Sequence, residues 1–148
     1  MKIQLLPLQT HGDERGSLIA LEEGKNIPFA VKRVYYMFDT GEGVRRGFHA
    51  HKSLKQVAVA VRGSCRFLLD DGKEKVDIRL DHPHQGLLIE SFIWREMYDF
   101  SADCVLMVLA DNLYDESDYV RNYEVFRQMV ESPDLPSVLN LSSQHEAC

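Results

Sequence analysis

The chain is 148 residues long, enough for one domain with its own hydrophobic core and hardly for two. Hydrophobic residues make up 45% and charged residues 27%, as in ordinary globular proteins, and no window holds the roughly 18 uninterrupted apolar residues of a membrane span. With 17 basic against 23 acidic residues the net charge is −6, which argues against a nucleic-acid polymer as partner, because phosphate backbones need a basic surface.

In chain order, Met1-Lys2-Ile3-Gln4-Leu5-Leu6-Pro7 turns polar too soon for a signal peptide, so a cytoplasmic protein with no membrane partner is expected. From Ser17 to Ala110 short β-like runs alternate with turn residues about every 8–12 positions, the rhythm of a sandwich or barrel. The runs are 17–21, 31–38, 47–51, 56–61, 65–69, 75–80, 86–89 and 105–109. Asp70-Asp71-Gly72-Lys73 marks a hairpin, since Asp-Gly tolerates the positive φ of a tight turn. After Ala110 the period changes. Tyr119, Tyr123, Phe126 and Val130 fall on one helical stripe, predicting a helix over about 118–131 with Ser117 or Asp118 as its N-cap and Pro133 and Pro136 ending it. Residues 132–148 read as a loose polar tail behind a single domain, 1–131. Cys65 and Cys104 sit in apolar runs and read as packed core thiols, with Cys148 a free thiol in a reducing compartment.

The densest polar constellation runs from Arg45 to Gln56. His49 and His51 lie two apart, so in a strand they face the same side, and two imidazoles facing a barrel interior are costly unless they bond or work. Gly47-x-His49-x-His51, then Gln56 and Gly63, resembles the first cupin motif, in which two His and a Glu bind metal and a later His completes the site. Here Gln56 stands at the Glu position, and Arg95, within Ser91-Phe92-Ile93-Trp94-Arg95-Glu96-Met97, stands where the last His belongs. A guanidinium cannot ligate a cation and two neutral histidines alone hold a divalent metal weakly, so no metal is expected. The same imidazoles suit proton transfer near neutral pH, with Arg95 beside a developing oxyanion. Arg15, Arg33 and Arg46 offer bidentate donors to a diphosphate; Arg45 reads as surface charge.

A closer resemblance rests on several blocks in order: Asp13-Glu14-Arg15-Gly16-Ser17-Leu18, Ile27-Pro28-Phe29, Lys32-Arg33-Val34-Tyr35-Tyr36, Arg46-Gly47-Phe48-His49-Ala50-His51-Lys52, Trp94-Arg95-Glu96-Met97-Tyr98-Asp99-Phe100 and Tyr114-Asp115-Glu116-Ser117-Asp118-Tyr119-Val120-Arg121. These are similar to the sugar-nucleotide 3,4-ketoisomerases, which share the WxcM-like cupin domain. The resemblance implies an all-β cupin, a double-stranded β-helix or jelly-roll barrel, with a short C-terminal helix. It implies a dTDP-4-keto-6-deoxyglucose substrate, isomerised through a 3,4-enediol to a dTDP-3-keto-6-deoxyhexose without a redox cofactor. A transaminase would then make a 3-amino sugar for surface polysaccharide.

By the same similarity His49 and His51 are the acid–base pair, with His51 favoured for abstraction at C3 and His49 for delivery. Tyr35 would orient a histidine, relay a proton or simply pack; Trp94 would stack on a ring or pack; Gln56 joins the substrate-binding set. Arg15 goes with relatives making the galacto product and Arg95 with those making the gluco one, and the Arg15-to-Leu18 segment tilts the expectation to galacto. The Tyr114–Arg121 block reads as a charged loop before the helix, held by pairing among Asp115, Asp118 and Arg121. Related cupins form homodimers by exchanging an edge strand, so the N-terminal run is a candidate for the partner's sheet. A cupin epimerase and a non-catalytic sugar-nucleotide sensor are the alternatives.

Overall fold

A computed structural model describes residues 1–131; the expected loose tail, its two prolines and Cys148 lie outside the described residues. Among the described residues twelve strands form in chain order: β1 (Gln4–Pro7), β2 (Thr10–Asp13), β3 (Gly16–Ile19), β4 (Arg33–Met37), β5 (Arg46–His51), β6 (Gln56–Arg62), β7 (Cys65–Asp70), β8 (Lys75–Leu80), β9 (Gln85–Ile89), β10 (Trp94–Tyr98), β11 (Val105–Ala110) and β12 (Tyr119–Val120). One sheet has the order β1-β9-β6-β11-β4 and the other β12-β5-β10-β7-β8, while β2 and β3 form a separate hairpin.

Alternation along the strands builds the layers. On β6, Ala58 and Ala60 face the space between the sheets, where they meet Phe67, Leu87, Leu106 and Val108. Val57 and Val59 face the other way, against Leu8, Ile27 and Leu109, so both faces of this central strand are buried. The opposite sheet is covered on its outer face by helix α1 (Tyr123–Glu131), whose Phe126 packs with Ala50, Trp94 and Val120. Changing Phe126 to Ala, a fully buried ring, is expected to cost about 3–5 kcal/mol in chemical denaturation, mostly from lost burial and the cavity left behind.

The helix begins at Tyr123, not near 118. Asn122 caps it, its side-chain oxygen accepting from the Val125 N–H at 3.0 Å. The expected start is occupied by a 3₁₀ turn, Glu116–Asp118, followed by β12, which pairs with β5 in the register Tyr119↔His51 and Val120↔Ala50. Ser117 and Asp118 are therefore not its caps. Sequence periodicity also passed over β1, β2 and β10. The first of these pairs within the chain, antiparallel to β9, with Gln4 opposite Leu88.

Candidate active site

One mouth of the barrel opens between edge strand β4 of the first sheet and β5 with β12 of the second. Alternation on β4 turns Arg33, Tyr35 and Met37 inward and leaves Val34 and Tyr36 exposed. A cleft of about 280 Å³ forms there, lined by Arg33, Tyr35, Arg46, His49, Tyr119 and Arg121 among others. His49 lies at this open cleft, half-buried, whereas His51 lies behind it at 1% exposure. Their rings meet edge to face at 4.9 Å, and the Tyr119 ring touches both, 4.9 Å from His49 and 4.4 Å from His51.

Hydrogen bonds set the tautomer of each imidazole. His49 Nδ1 is 2.9 Å from the Gly47 carbonyl, which can only accept, so Nδ1 carries the hydrogen and Nε2 the lone pair. His51 Nδ1 is 3.1 Å from Asp118 Oδ2, and its Nε2 is buried with no partner among the described residues. Asp118 is itself fixed, since Oδ1 accepts from the Ser53 N–H and hydroxyl and Oδ2 from the Leu54 N–H. Burial, and after it the Arg95 charge, pushes His49 down to about 4 and holds His51 well below the usual imidazole range. Both rings are neutral bases at physiological pH.

Behind them runs a polar chain. Arg95, 2% exposed, donates from Nε and Nη2 to the Ile93 carbonyl and from Nη1 to Gln56 Oε1 at 2.5 Å. Gln56 Nε2 then donates to the Tyr35 hydroxyl oxygen at 2.9 Å. With that oxygen already accepting, the Tyr35 O–H is free to donate elsewhere, and burial raises its pKa so that it keeps its proton. Arg33, whose buried Nε has no partner among the described residues, supplies positive charge at the same mouth.

The structure thus brings together His49, His51, Tyr35, Arg33 and Arg46, with Arg95 behind them. Three residues of the expected binding set do not line this cleft. Trp94 faces the opposite side of β10 from Arg95, buried against Tyr123 and Phe126, with its indole N–H on Glu96; neighbours in a strand cannot share a face. Gln56 has both ends of its amide engaged by Arg95 and Tyr35, so it transmits order rather than offering itself to a ligand. Arg15 sits on the β2–β3 hairpin, 84% exposed and paired with Asp13, away from the histidines of its own chain. Arg45 lies on the outer face with Glu96 and the Tyr98 ring.

The side chains of the Tyr114–Arg121 block pair within it by other partners than expected, and among the described residues only that of Asp118 hydrogen-bonds outside it. Arg121 pairs with Glu116, Asp115 caps the 3₁₀ turn, and Asp118 turns in to His51. Asp118, Tyr119 and Arg121 are the site residues that sequence reasoning missed. A metal does not fit these donors: Gln56's oxygen is engaged, Arg95's charge opposes a second cation, and no three His, Cys, Asp or Glu converge among the described residues.

Two facing five-stranded sheets around a cleft lined by imidazole and guanidinium groups define a cupin-type protein. The profile described as "FdtA: WxcM-like, C-terminal" matches residues 1–131, and the chain belongs to that family. It is 57% identical over 118 residues to the TDP-4-oxo-6-deoxy-alpha-D-glucose-3,4-oxoisomerase of Aneurinibacillus thermoaerophilus, covering 80% of this chain and 85% of that one. A crystal structure of a 3,4-ketoisomerase from Helicobacter canadensis superposes with a TM-score of 0.86 at 45% identity, covering 89% of this chain and 99% of the other. That of QdtA, a sugar 3,4-ketoisomerase from Thermoanaerobacterium thermosaccharolyticum in complex with TDP, gives 0.85 at 40% identity, covering 87% and 94%.

Proposed function

We propose that this protein, an isomerase of the sugar-nucleotide 3,4-ketoisomerase type, converts dTDP-4-keto-6-deoxy-D-glucose to dTDP-3-keto-6-deoxy-D-galactose. The observation that carries the reading is the pair of neutral imidazoles, each with its Nδ1 hydrogen tied back and Nε2 left basic, beside the free Tyr35 hydroxyl hydrogen. Arg33 and Arg46 at the cleft hold the diphosphate.

The depth of the two rings supports the reverse of the roles expected for them. His49, at the open cleft, takes the hydrogen from C3; the electron pair forms the C3=C4 bond and O4 gathers charge against the Tyr35 O–H. His51 Nε2 carries the hydroxyl hydrogen from O3 to O4, and the His49 imidazolium returns its proton to C4 as C3=O forms. One base on one ring face puts the new C4 hydrogen on the side that C3 lost, which from a gluco ring inverts the C4 hydroxyl to galacto. The Arg15-Gly16-Ser17-Leu18 segment agrees with that branch. The product suits a transaminase making a 3-amino-3,6-dideoxysugar for surface polysaccharide.

Proton NMR of the ketosugar incubated with enzyme in D2O tests this. The carbonyl should move to C3 and deuterium enter C4, with the small H4–H5 coupling of an equatorial H4 read from protonated product made in H2O. An epimerase leaves the carbonyl at C4; a sensor binds dTDP and turns nothing over. A large coupling would mean delivery from the opposite face.

The depressed His49 pKa has a direct consequence for pH. Its base form persists as pH falls past imidazole's ordinary 6.5, so kcat/KM is expected to hold level there and to fall only toward about 4. An acid limb centred at 6.5 would count against His49 as the base. Stability moves the same way. Below 6.5 the unfolded chain binds a proton that folded His49 refuses, so stability is full above 6.5 and is lost as pH falls toward about 4.

The protein is further proposed to be a cytoplasmic homodimer with strand exchange. Tyr36, 63% exposed, with Val34 and Phe38 forms an apolar patch along edge strand β4, which among the described residues is unpaired on its outer side, and there the β2–β3 hairpin carrying exposed Leu18 pairs only with itself. Light scattering at twice the chain mass is the expected result.

A further inference from the structure

We infer that the left-handed step at Gly47-Phe48 positions His49 for proton transfer, which makes both residues positioning residues of the reaction; the inference rests on the acid–base reading above. Pairing of β5 with β10 runs Arg46↔Met97, Gly47↔Glu96, then His49↔Arg95. Two residues of β5 advance against one of β10, so Phe48 is the extra residue of a bulge. Gly47 has φ 96° and Phe48 φ 55°. The left-handed region is costly for a phenylalanine, and this ring is 44% exposed, so its own packing does not explain the strain.

The neighbouring strand holds the step in place. A Cβ on residue 47 would stand 2.8 Å from the Arg95 carbonyl oxygen and 3.2 Å from the Glu96 Cα, so only glycine fits against β10 there. The consequence is a change of parity. In an unbroken strand Arg46 and His49, three apart, would face opposite sides; here both line the cleft, while Arg45 goes to the outer face. The Gly47 carbonyl is also the group that accepts from His49 Nδ1 and leaves Nε2 bare. One extra residue thus aligns a guanidinium with the base and fixes the tautomer of that base.

Substituting Phe48 alone tests this, because its side chain is 44% exposed, does not line the cleft and belongs to none of the core clusters. Phe48→Val resists the left-handed conformation, whereas Phe48→Asn accepts it. The valine variant is expected to lose about 10- to 100-fold in kcat, with a smaller change in KM, and the asparagine variant to stay within about threefold of wild type. Long-range proton–nitrogen NMR should find the His49 hydrogen on Nδ1 in wild type and in the asparagine variant, and shifted toward Nε2 with valine. A valine variant with wild-type kcat, or with lost kcat and an unaltered tautomer, overturns the inference. Should valine prevent folding, Phe48→Ala makes a milder demand and is expected to fall between the two in both readouts. If even the wild type turns over no ketosugar, the acid–base reading fails, while the tautomer comparison still decides whether the bulge holds His49.

Discussion

Changing His49 to Asn is expected to lower kcat by about 10²- to 10⁴-fold while dTDP still binds, the usual worth of a positioned general base. The substitution is conservative in shape, and an amide can still donate to the Gly47 carbonyl that holds Nδ1. It has no group that takes a proton near neutral pH. Binding should survive because Arg33 and Arg46, not the imidazole, hold the diphosphate in the proposed reading, and because His49 lies at the cleft rather than in the core. Titration calorimetry with dTDP and NMR turnover of the ketosugar read the two effects separately. A variant keeping more than about a tenth of wild-type kcat would leave His49 without a proton-transfer role, since a base worth so little is not one. Wild-type protein that binds dTDP equally well without turnover would favour a sensor.

Much of this architecture was legible because it is periodic or local. All eight predicted runs are strands, 75–80 with unchanged ends and the others with ends shifted by one or two residues, and the His49-x-His51 spacing alone sets two imidazoles on one face. Parity could have carried further. If Arg95 points inward, Trp94 beside it must point outward, and the indole is found under the helix. The helical stripe misled at its first member: Tyr119 is four residues before Tyr123 yet lies in a strand against the two histidines. Asp118 misled for a related reason. An acidic residue ahead of a helix reads as a cap, but Ser53, Leu54 and His51 offer it more donors than a helix start does. Those partners lie more than 60 residues back along the chain, and nothing local announces them. The bulge at Phe48 is equally silent, because a two-residue period gives no sign of where one residue has been added.

Asp118→Asn is expected to cost about 10²- to 10⁴-fold in kcat, comparable to losing an imidazole outright, although Asp118 does not line the open cleft and no substrate contact is assigned to it. The carboxylate accepts from four donors with two oxygens. An amide has one accepting oxygen. With that oxygen kept on the Ser53 N–H and hydroxyl, the NH2 group faces His51 Nδ1 and the Leu54 N–H. His51 can then keep the bond only by accepting at Nδ1, which moves its hydrogen to Nε2. The nitrogen proposed to receive the O3 hydrogen would become a donor, and the ring could not start the transfer. The Leu54 N–H, facing another donor, loses its partner, which costs about 1–3 kcal/mol of stability. Long-range proton–nitrogen NMR on His51 separates the catalytic effect from the structural one. A tautomer moved to Nε2–H with kcat lost makes Asp118 the residue that sets the base. A lowered melting temperature with kcat and tautomer unchanged would reduce it to an anchor for the corner between β5 and β6.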